Sequence, residues 1–222
     1  MYSLIFDTTA AACSIVLSKN GDIVDSFCQT MDFGQSEVLI PAIKKILQTQ
    51  RLNFADVQEI FVCIGPGSFT GVRASISAAK VFTLAQEGVV VSGFNAFDAY
   101  KECLKNDEIA PINAVVIETR RDDFYVRFYD GKLQPLSEGQ ALTREEIITY
   151  MRSRGTTVGV IGDGVERLLS QPSRLNFHSI KMCDCIPIVG LNAIALQQQR
   201  LKKYNFPKPL YIRPADVSLP KA

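Results

Sequence analysis

Apolar and polar positions in the first half of the chain predict three short strands followed by alternating helices and strands. An Asn-Gly pair at residues 20–21 separates two apolar runs, and this pair is the strongest short hairpin signal. Helical spacing of apolar residues begins at Ser36, which is a favourable N-cap residue. The predicted elements of this half are strands at 4–6, 13–17, 23–30, 60–64 and 89–91 and helices at 36–50, 72–86 and 96–104.

The second half repeats this order of elements. Residues 130–131 are again a hairpin signal, and residues 143–146 have the pattern of a helix capping box. In both halves an acidic residue, Asp7 or Glu118, ends the first strand, and a later strand ends in a Gly-x-Gly turn. The predicted elements of this half are strands at 114–117, 124–129, 132–141 and 158–161, a helix that begins near 143, and a helix at 191–203.

The repeated order indicates a duplicated α/β fold. We predict two tandem lobes, residues 1–107 and 108–222, each with a mixed sheet of three antiparallel N-terminal strands plus parallel strands flanked by helices. Two such lobes resemble the actin-like (ribonuclease H-like) architecture of the actin, hexokinase and Hsp70 superfamily. A single mixed α/β domain is the alternative that the pattern leaves open.

The composition limits which partners the protein can bind unaided. Lys and Arg number 24 against 23 Asp and Glu, for a net charge of +1, whereas proteins that bind nucleic acid alone usually have a strong basic excess. Any RNA contact is therefore expected to be local or to depend on a partner. No early apolar stretch or long uncharged run predicts a signal peptide or a membrane span, so we expect a cytoplasmic protein.

Cysteine and histidine usage excludes several kinds of site. None of the six cysteines forms a pair with the two-residue gap of a zinc or thioredoxin motif, so we expect reduced packing residues and no metal site. His178 is the only histidine, which excludes a His-pair metal site. A peptidase triad would depend on this residue, and the simpler expectation is a histidine in a loop or at the edge of a strand.

The glycine-rich segment at residues 65–71 (GPGSFTG) is the most informative candidate for chemistry. Glycines let the backbone approach an anion, and the helix that follows offers free N–H groups. The segment lacks both the Walker lysine and the dinucleotide fingerprint, so a tight packing turn is the competing interpretation. The candidate phosphate-binding residues are Asp7, Thr8, Thr9, Gly65, Gly67, Ser68, Gly162, Asp163 and Gly164.

The predicted helix at 72–86 has more apolar surface than one sheet can cover. Small residues at helical spacing (Gly71, Ala74, Ser75, Ala78) form one face, and apolar residues occupy much of the rest of its circumference. A helix that is apolar on nearly all sides requires burial on nearly all sides. We expect the second face to be covered either by the helix at 36–50 or by another subunit.

Five segments spread over the chain together resemble one protein family. The most specific is the nine-residue run 65–73 (GPGSFTGVR), which looks like the signature of the TsaB (YeaZ) family. The other segments are residues 5–9 (IFDTT), 118–125 (ETRRDDFY), 162–164 (GDG) and 209–216 (PLYIRPAD). Two positions depart from the family pattern, since Gln35-Ser36 replaces a usual His-Ser pair and Glu118 replaces the usual Asp.

The resemblance implies a non-catalytic subunit in tRNA threonylcarbamoyl-adenosine modification. Family members bind TsaD, which transfers a threonylcarbamoyl group to the adenosine next to the anticodon, and the ATPase TsaE joins them. They form homodimers when alone, contact tRNA only through the complex, and require no cofactor beyond weak ATP or ADP at the partner interface. The interface implied for this chain comprises Ser36, Leu39, Ile40, Ile43, Arg73, Ala74, Ser77, Ala78 and Val81.

A different class of function stays open at this point. The chain could be a small ATP-binding kinase or ATPase of the actin and hexokinase superfamily, with Asp7, Gly67 and Gly162 around the phosphates. ATP turnover by the purified protein would distinguish this enzyme from an accessory subunit.

Overall fold

The computed structural model describes residues 1–154 and 157–213. The first part of the chain forms β1 (Tyr2–Asp7), β2 (Ala12–Lys19), β3 (Asp22–Thr30), α1 (Gln35–Thr49), β4 (Val57–Cys63), α2 (Phe69–Ala85), β5 (Val90–Phe94) and α3 (Ala96–Lys101). The second part forms β6 (Ile112–Glu118), β7 (Asp123–Asp130), β8 (Gln140–Thr143), α4 (Arg144–Ser153), β9 (Val158–Gly162), α5 (Val165–Leu168), β10 (Phe177–Met182) and α6 (Ile188–Leu201).

Two five-stranded mixed sheets confirm the predicted duplication. The first sheet has the order β3-β2-β1-β4-β5, and the second has the same order from β8 through β7, β6 and β9 to β10. In each sheet the first three strands are antiparallel and the last two are parallel to the first strand of the lobe. An identical strand order in both halves is the result expected of two tandem actin-like lobes.

The sheets and helices form five layers with three apolar clusters between them. One cluster joins the outer face of the first sheet to α1 and α2, and another joins the outer face of the second sheet to α4 and α5. The central cluster lies between the two sheets and includes Phe61, Tyr100, Val115 and Leu191. The lobes therefore share one core through α3 and α6. No helix in the described ranges is long and apolar enough to cross a bilayer.

Two local predictions are corrected by the structure. The N-cap of α1 is Gly34, at φ 88°, and not Ser36, because the chain turns through a left-handed residue before entering the helix. The predicted strand at 132–141 is reduced to β8. The Asp130 carboxylate accepts hydrogen bonds from the backbone amides of Lys132 and Gln134, both at 2.8 Å, and so holds the start of this segment in a turn.

The C-terminal helix and tail pack against the first lobe. Helix α6 contacts α3, β1 and β2, and its side chain Gln199 donates to the buried carboxylate of Glu59 on β4. Tyr204 also donates to Glu59, at 2.8 Å. Further along, the Leu210 amide donates to the Ile64 carbonyl at 2.8 Å. Residues after 187 thus complete the lobe that the first half of the chain begins.

Candidate functional site

The glycine-rich turn between β4 and α2 packs tightly against the turn that follows β1. The Ser68 amide donates to the Thr9 carbonyl at 2.7 Å. The Thr8 hydroxyl is 2.7 Å from both the Gly71 carbonyl and the Ser75 hydroxyl. A Cβ on Gly67 would lie 2.4 Å from the Thr9 carbonyl oxygen. Gly67 therefore faces the backbone of the neighbouring turn at a distance that leaves no room for a side chain.

Asp7 stabilises its own turn. Its carboxylate accepts a hydrogen bond from the Thr9 amide at 2.8 Å, and only 1% of the residue is exposed. Burial raises the pKa of this carboxyl, although the Thr9 bonds act in the opposite direction. Thr8, Thr9 and Gly65 are buried as well. These buried residues pack against one another next to the start of α2.

The second lobe uses the same construction. Gly162 has φ +138°, and a Cβ there would lie 2.0 Å from the Val116 carbonyl oxygen. The Asp163 carboxylate accepts a hydrogen bond from the Glu118 amide at 3.0 Å. A Cβ on Gly164 would lie 2.9 Å from the ring of Phe124. Glycine is required at position 162 because the backbone of β6 passes directly beside it, whereas at position 164 the neighbours are mainly side chains.

A cleft of about 610 Å³ lies between the two lobes. Arg120 from the second lobe forms a 2.7 Å ion pair with Asp32 of the first at this cleft. The cleft is lined by Ala11, Thr30, Met31, Asp32, Glu118, Arg120, Gly162, Asp163, Glu166, Met182, Cys183 and Asp184. Of the predicted phosphate-binding residues, only Gly162 and Asp163 line it.

The charge of this cleft differs from that of a phosphate site. Five carboxyl groups and one guanidinium group line it, so a phosphate would meet mainly like charge. Burial raises the pKa of Asp163 to about 7. Within the ranges that the structure describes, no three Asp, Glu, His or Cys side chains are arranged to hold a metal ion.

The predicted interface residues divide into exposed and buried groups. Ser36, Ile40, Arg73, Ser77 and Val81 are exposed, and Ala74 is half-buried. Three residues of the predicted interface are not at the surface. They are Leu39, Ile43 and Ala78, which are buried in the cluster that joins α1 and α2 to the first sheet. Their side chains pack within this lobe.

An exposed stripe runs along α2, formed by Phe69, Arg73, Ser77, Val81 and Leu84. Val81 is 60% exposed and Leu84 is 88% exposed, and Ile40 on the neighbouring helix α1 is 43% exposed. The excess apolar surface inferred from the sequence is thus real, and α1 covers only part of it. We call this set, with Ile40, the α2 ridge.

The C-terminal tail extends one end of the α2 ridge. Tyr211 stacks on Phe69 with 5.1 Å between ring centroids, and its hydroxyl accepts from Arg73 Nε at 3.1 Å. The Arg73 guanidinium lies 3.7 Å from the centre of the Phe69 ring. The position of the tail could not be predicted from the sequence, since residues 203–213 have no helical or strand periodicity.

Comparisons with known proteins agree with this fold. Residues 34–217 match the family model described as TsaD, tRNA N6-adenosine threonylcarbamoyltransferase. The tRNA threonylcarbamoyladenosine biosynthesis protein TsaB of Escherichia coli is 32% identical over 87 residues, 39% of this chain and 37% of that protein. TsaB of Bacillus subtilis is 22% identical over 167 residues, 73% of this chain and 71% of that protein.

A solved structure matches nearly the whole chain. YeaZ from Pseudomonas aeruginosa has a TM-score of 0.76 at 20% identity, and the match covers 95% of this chain and 99% of that one. Curated relatives match over a shorter length. TsaB of Buchnera aphidicola from Schizaphis graminum is 26% identical over 51% of this chain and 55% of its own. The chain spans about half the length of several curated relatives that it matches.

Proposed function

We propose a function from one premise: this chain belongs to the family of the tRNA N6-adenosine threonylcarbamoyltransferase TsaD, and within it to the TsaB (YeaZ) proteins. Its role is in the biosynthesis of tRNA threonylcarbamoyladenosine. It acts as a non-catalytic subunit that binds TsaD and supports transfer of the threonylcarbamoyl group to the adenosine next to the anticodon. TsaE joins this complex, and tRNA is contacted only through it.

The α2 ridge is the observation that carries this proposal. Val81 and Leu84 are 60% and 88% exposed, and neighbouring exposed apolar side chains mark binding surfaces. Burying one such side chain completely contributes about 1.5–3 kcal/mol. A homologous lobe packed on the ridge would cover α2 on the side that α1 leaves open. The same surface would form a homodimer when TsaD is absent.

Two further observations favour an accessory role. The glycine-rich turn of the first lobe packs directly against the Thr9 carbonyl, and the cleft between the lobes is rich in carboxylates. The net charge of +1 gives the chain little attraction for tRNA on its own. These features favour a protein that acts on tRNA only together with the subunit that it binds.

A matched pair of variants tests the ridge. Val81→Glu places a charge on it, and Val189→Glu places the same charge at a residue that is 62% exposed on α6. We expect Val81→Glu to weaken TsaD binding roughly 10–100-fold, because the apolar contact is lost and a charge must be desolvated. Val189→Glu should bind as the unchanged protein does. Equal affinities for two folded variants, measured by calorimetry, would reject the ridge as the interface.

A small ATP-binding kinase or ATPase is the second candidate. The cleft of about 610 Å³ between the lobes favours it, since it is large enough for a nucleotide and lies between two lobes, where ligand pockets commonly occur. ATP hydrolysis by the purified chain, abolished by Asp163→Asn, would support this enzyme. Background turnover in both proteins would support the accessory role.

A further inference from the structure

Two cysteines from different lobes meet at the edge of the cleft. Cys28 lies on β3, and Cys185 lies in the loop between β10 and α6. Their sulfur atoms are 3.5 Å apart although 157 residues separate them in sequence. The contact therefore depends on the way the two lobes are joined.

The surroundings of this pair leave the sulfurs free to react with each other. Ser14 lies opposite Cys28 in the β2–β3 register, and its hydroxyl is 3.5 Å from Cys28 Sγ and 3.7 Å from Cys185 Sγ. Cys28 is exposed, whereas Cys185 is only 9% exposed. An oxidant in solvent can thus reach the first sulfur, and the second lies directly behind it.

The other cysteines lack this arrangement. Cys13, Cys63 and Cys103 are buried, which shields them from solvent. Cys183 is half-buried, and its thiol is directed to the Lys181 carbonyl at 3.8 Å. Cys183 is therefore a suitable control, since it is two residues from Cys185 and has a different partner.

We propose that Cys28 and Cys185 form an oxidation site at which a peroxide creates a disulfide that links the two lobes. Cys28 sulfur attacks one peroxide oxygen, the O–O bond breaks, and the other oxygen leaves as the first water with the proton of the Cys28 thiol, so that Cys28 becomes a sulfenic acid. Cys185 sulfur then attacks Cys28 sulfur, the S–O bond breaks, and the hydroxyl leaves with the Cys185 proton as a second water. Two thiols and one hydrogen peroxide thus give one disulfide and two waters.

The order of the two steps follows from exposure. Burial is the main cause that raises the pKa of Cys185 to about 12, so little of it is thiolate before the reaction. Cys28, at the surface, is the sulfur that the peroxide meets first. Cys185 acts second, at close range, where proximity compensates for its low thiolate fraction.

The disulfide would fix the width of the cleft. Thr30 lies two residues beyond Cys28, on the same face of β3, and lines the cleft from the first lobe. Asp184 precedes Cys185 and lines it from the second lobe. A covalent link beside both walls would prevent the lobes from separating there. This inference is independent of the proposed binding of TsaD.

The test uses the reduced chain of 222 residues and hydrogen peroxide. We expect the number of free thiols, counted after denaturation, to fall by two from six, and peptide mapping without reductant to show Cys28 joined to Cys185. Cross-linking so long a loop should raise the melting temperature by roughly 5–10 °C. Dithiothreitol should reverse both changes.

Single variants identify the reacting pair. Cys183→Ser should form the link as the unchanged protein does, whereas Cys28→Ser should lose both the link and the shift in melting temperature. Cys28 is exposed, so this variant should fold even if Cys185→Ser does not. The proposal is overturned by a Cys183–Cys185 bond, by a bond only between Cys28 residues of two molecules, or by six thiols that stay free.

Discussion

Replacing Gly71 by alanine should destabilise the first lobe, because helix α2 begins in direct contact with the turn after β1. A Cβ at this position would lie 1.9 Å from the Thr8 carbonyl oxygen and 2.8 Å from its carbonyl carbon. Both atoms belong to the backbone, so no side-chain rotation can relieve the overlap. Helix α2 would have to move away from β1.

The size of the effect can be worked from the contacts that this movement disturbs. Overpacking a well-packed site costs about 1–3 kcal/mol. The Thr8 hydroxyl would also lose its contacts with Gly71 and Ser75, each contributing about 1 kcal/mol. Alanine regains about 1 kcal/mol through its higher helix propensity. We therefore expect a loss of about 2–4 kcal/mol, or roughly 5–15 °C in melting temperature.

Urea unfolding at 25 °C, followed by circular dichroism, measures this loss as a change in midpoint at constant slope. Ser77→Ala is the matched control, because Ser77 is an exposed small residue on the same helix. Its stability should stay within about 0.5 kcal/mol of the unchanged protein. If Gly71→Ala were as stable as this control, the close packing of the two turns would be refuted.

Two further predictions concern the second lobe. Thr143→Ala removes the capping box in which Thr143 and Glu146 bond each other's backbone amides. Urea unfolding should therefore show a loss of about 1 kcal/mol in the free energy of unfolding. Ser153→Ala, at the other end of α4, is the control and should change this free energy little. Burial raises the pKa of Asp163 to about 7 from its ordinary value of 3.8, so its contribution to stability is fully present below the lower value and is lost as the pH rises to the higher one. Between pH 4.5 and pH 7, about the interval between these two values, the unfolding free energy of Asp163→Asn should therefore decline less than that of the unchanged protein. An equal decline in the two proteins would contradict the raised pKa of Asp163.

The sequence predicted the two lobes because strand order and turn signals repeat, and it could not predict which segment packs against the glycine-rich turn. Glycine is needed wherever another group approaches the backbone closely, whether that group is a phosphate or a carbonyl. The same residues at 65–71 would suit either a phosphate or a carbonyl. The close contact with the Thr9 carbonyl depends on how β1 and β4 pair, which the sequence does not show.

The helices illustrate a second limit. Apolar spacing predicted that α2 carries more apolar surface than one sheet covers, and the exposure of Val81 and Leu84 agrees with this. It did not predict that Leu39, Ile43 and Ala78 would be buried within the lobe. Which side of a helix faces its neighbour is decided by packing between helices, and spacing alone does not determine it.

The most direct test is to mix the purified chain with TsaD from the same organism and to measure the masses of the complexes by native mass spectrometry. The account predicts a complex with one copy of each protein at micromolar concentration, formed at the expense of any homodimer, and a clear loss of this complex with Val81→Glu. Two folded proteins that remain separate under these conditions would contradict it.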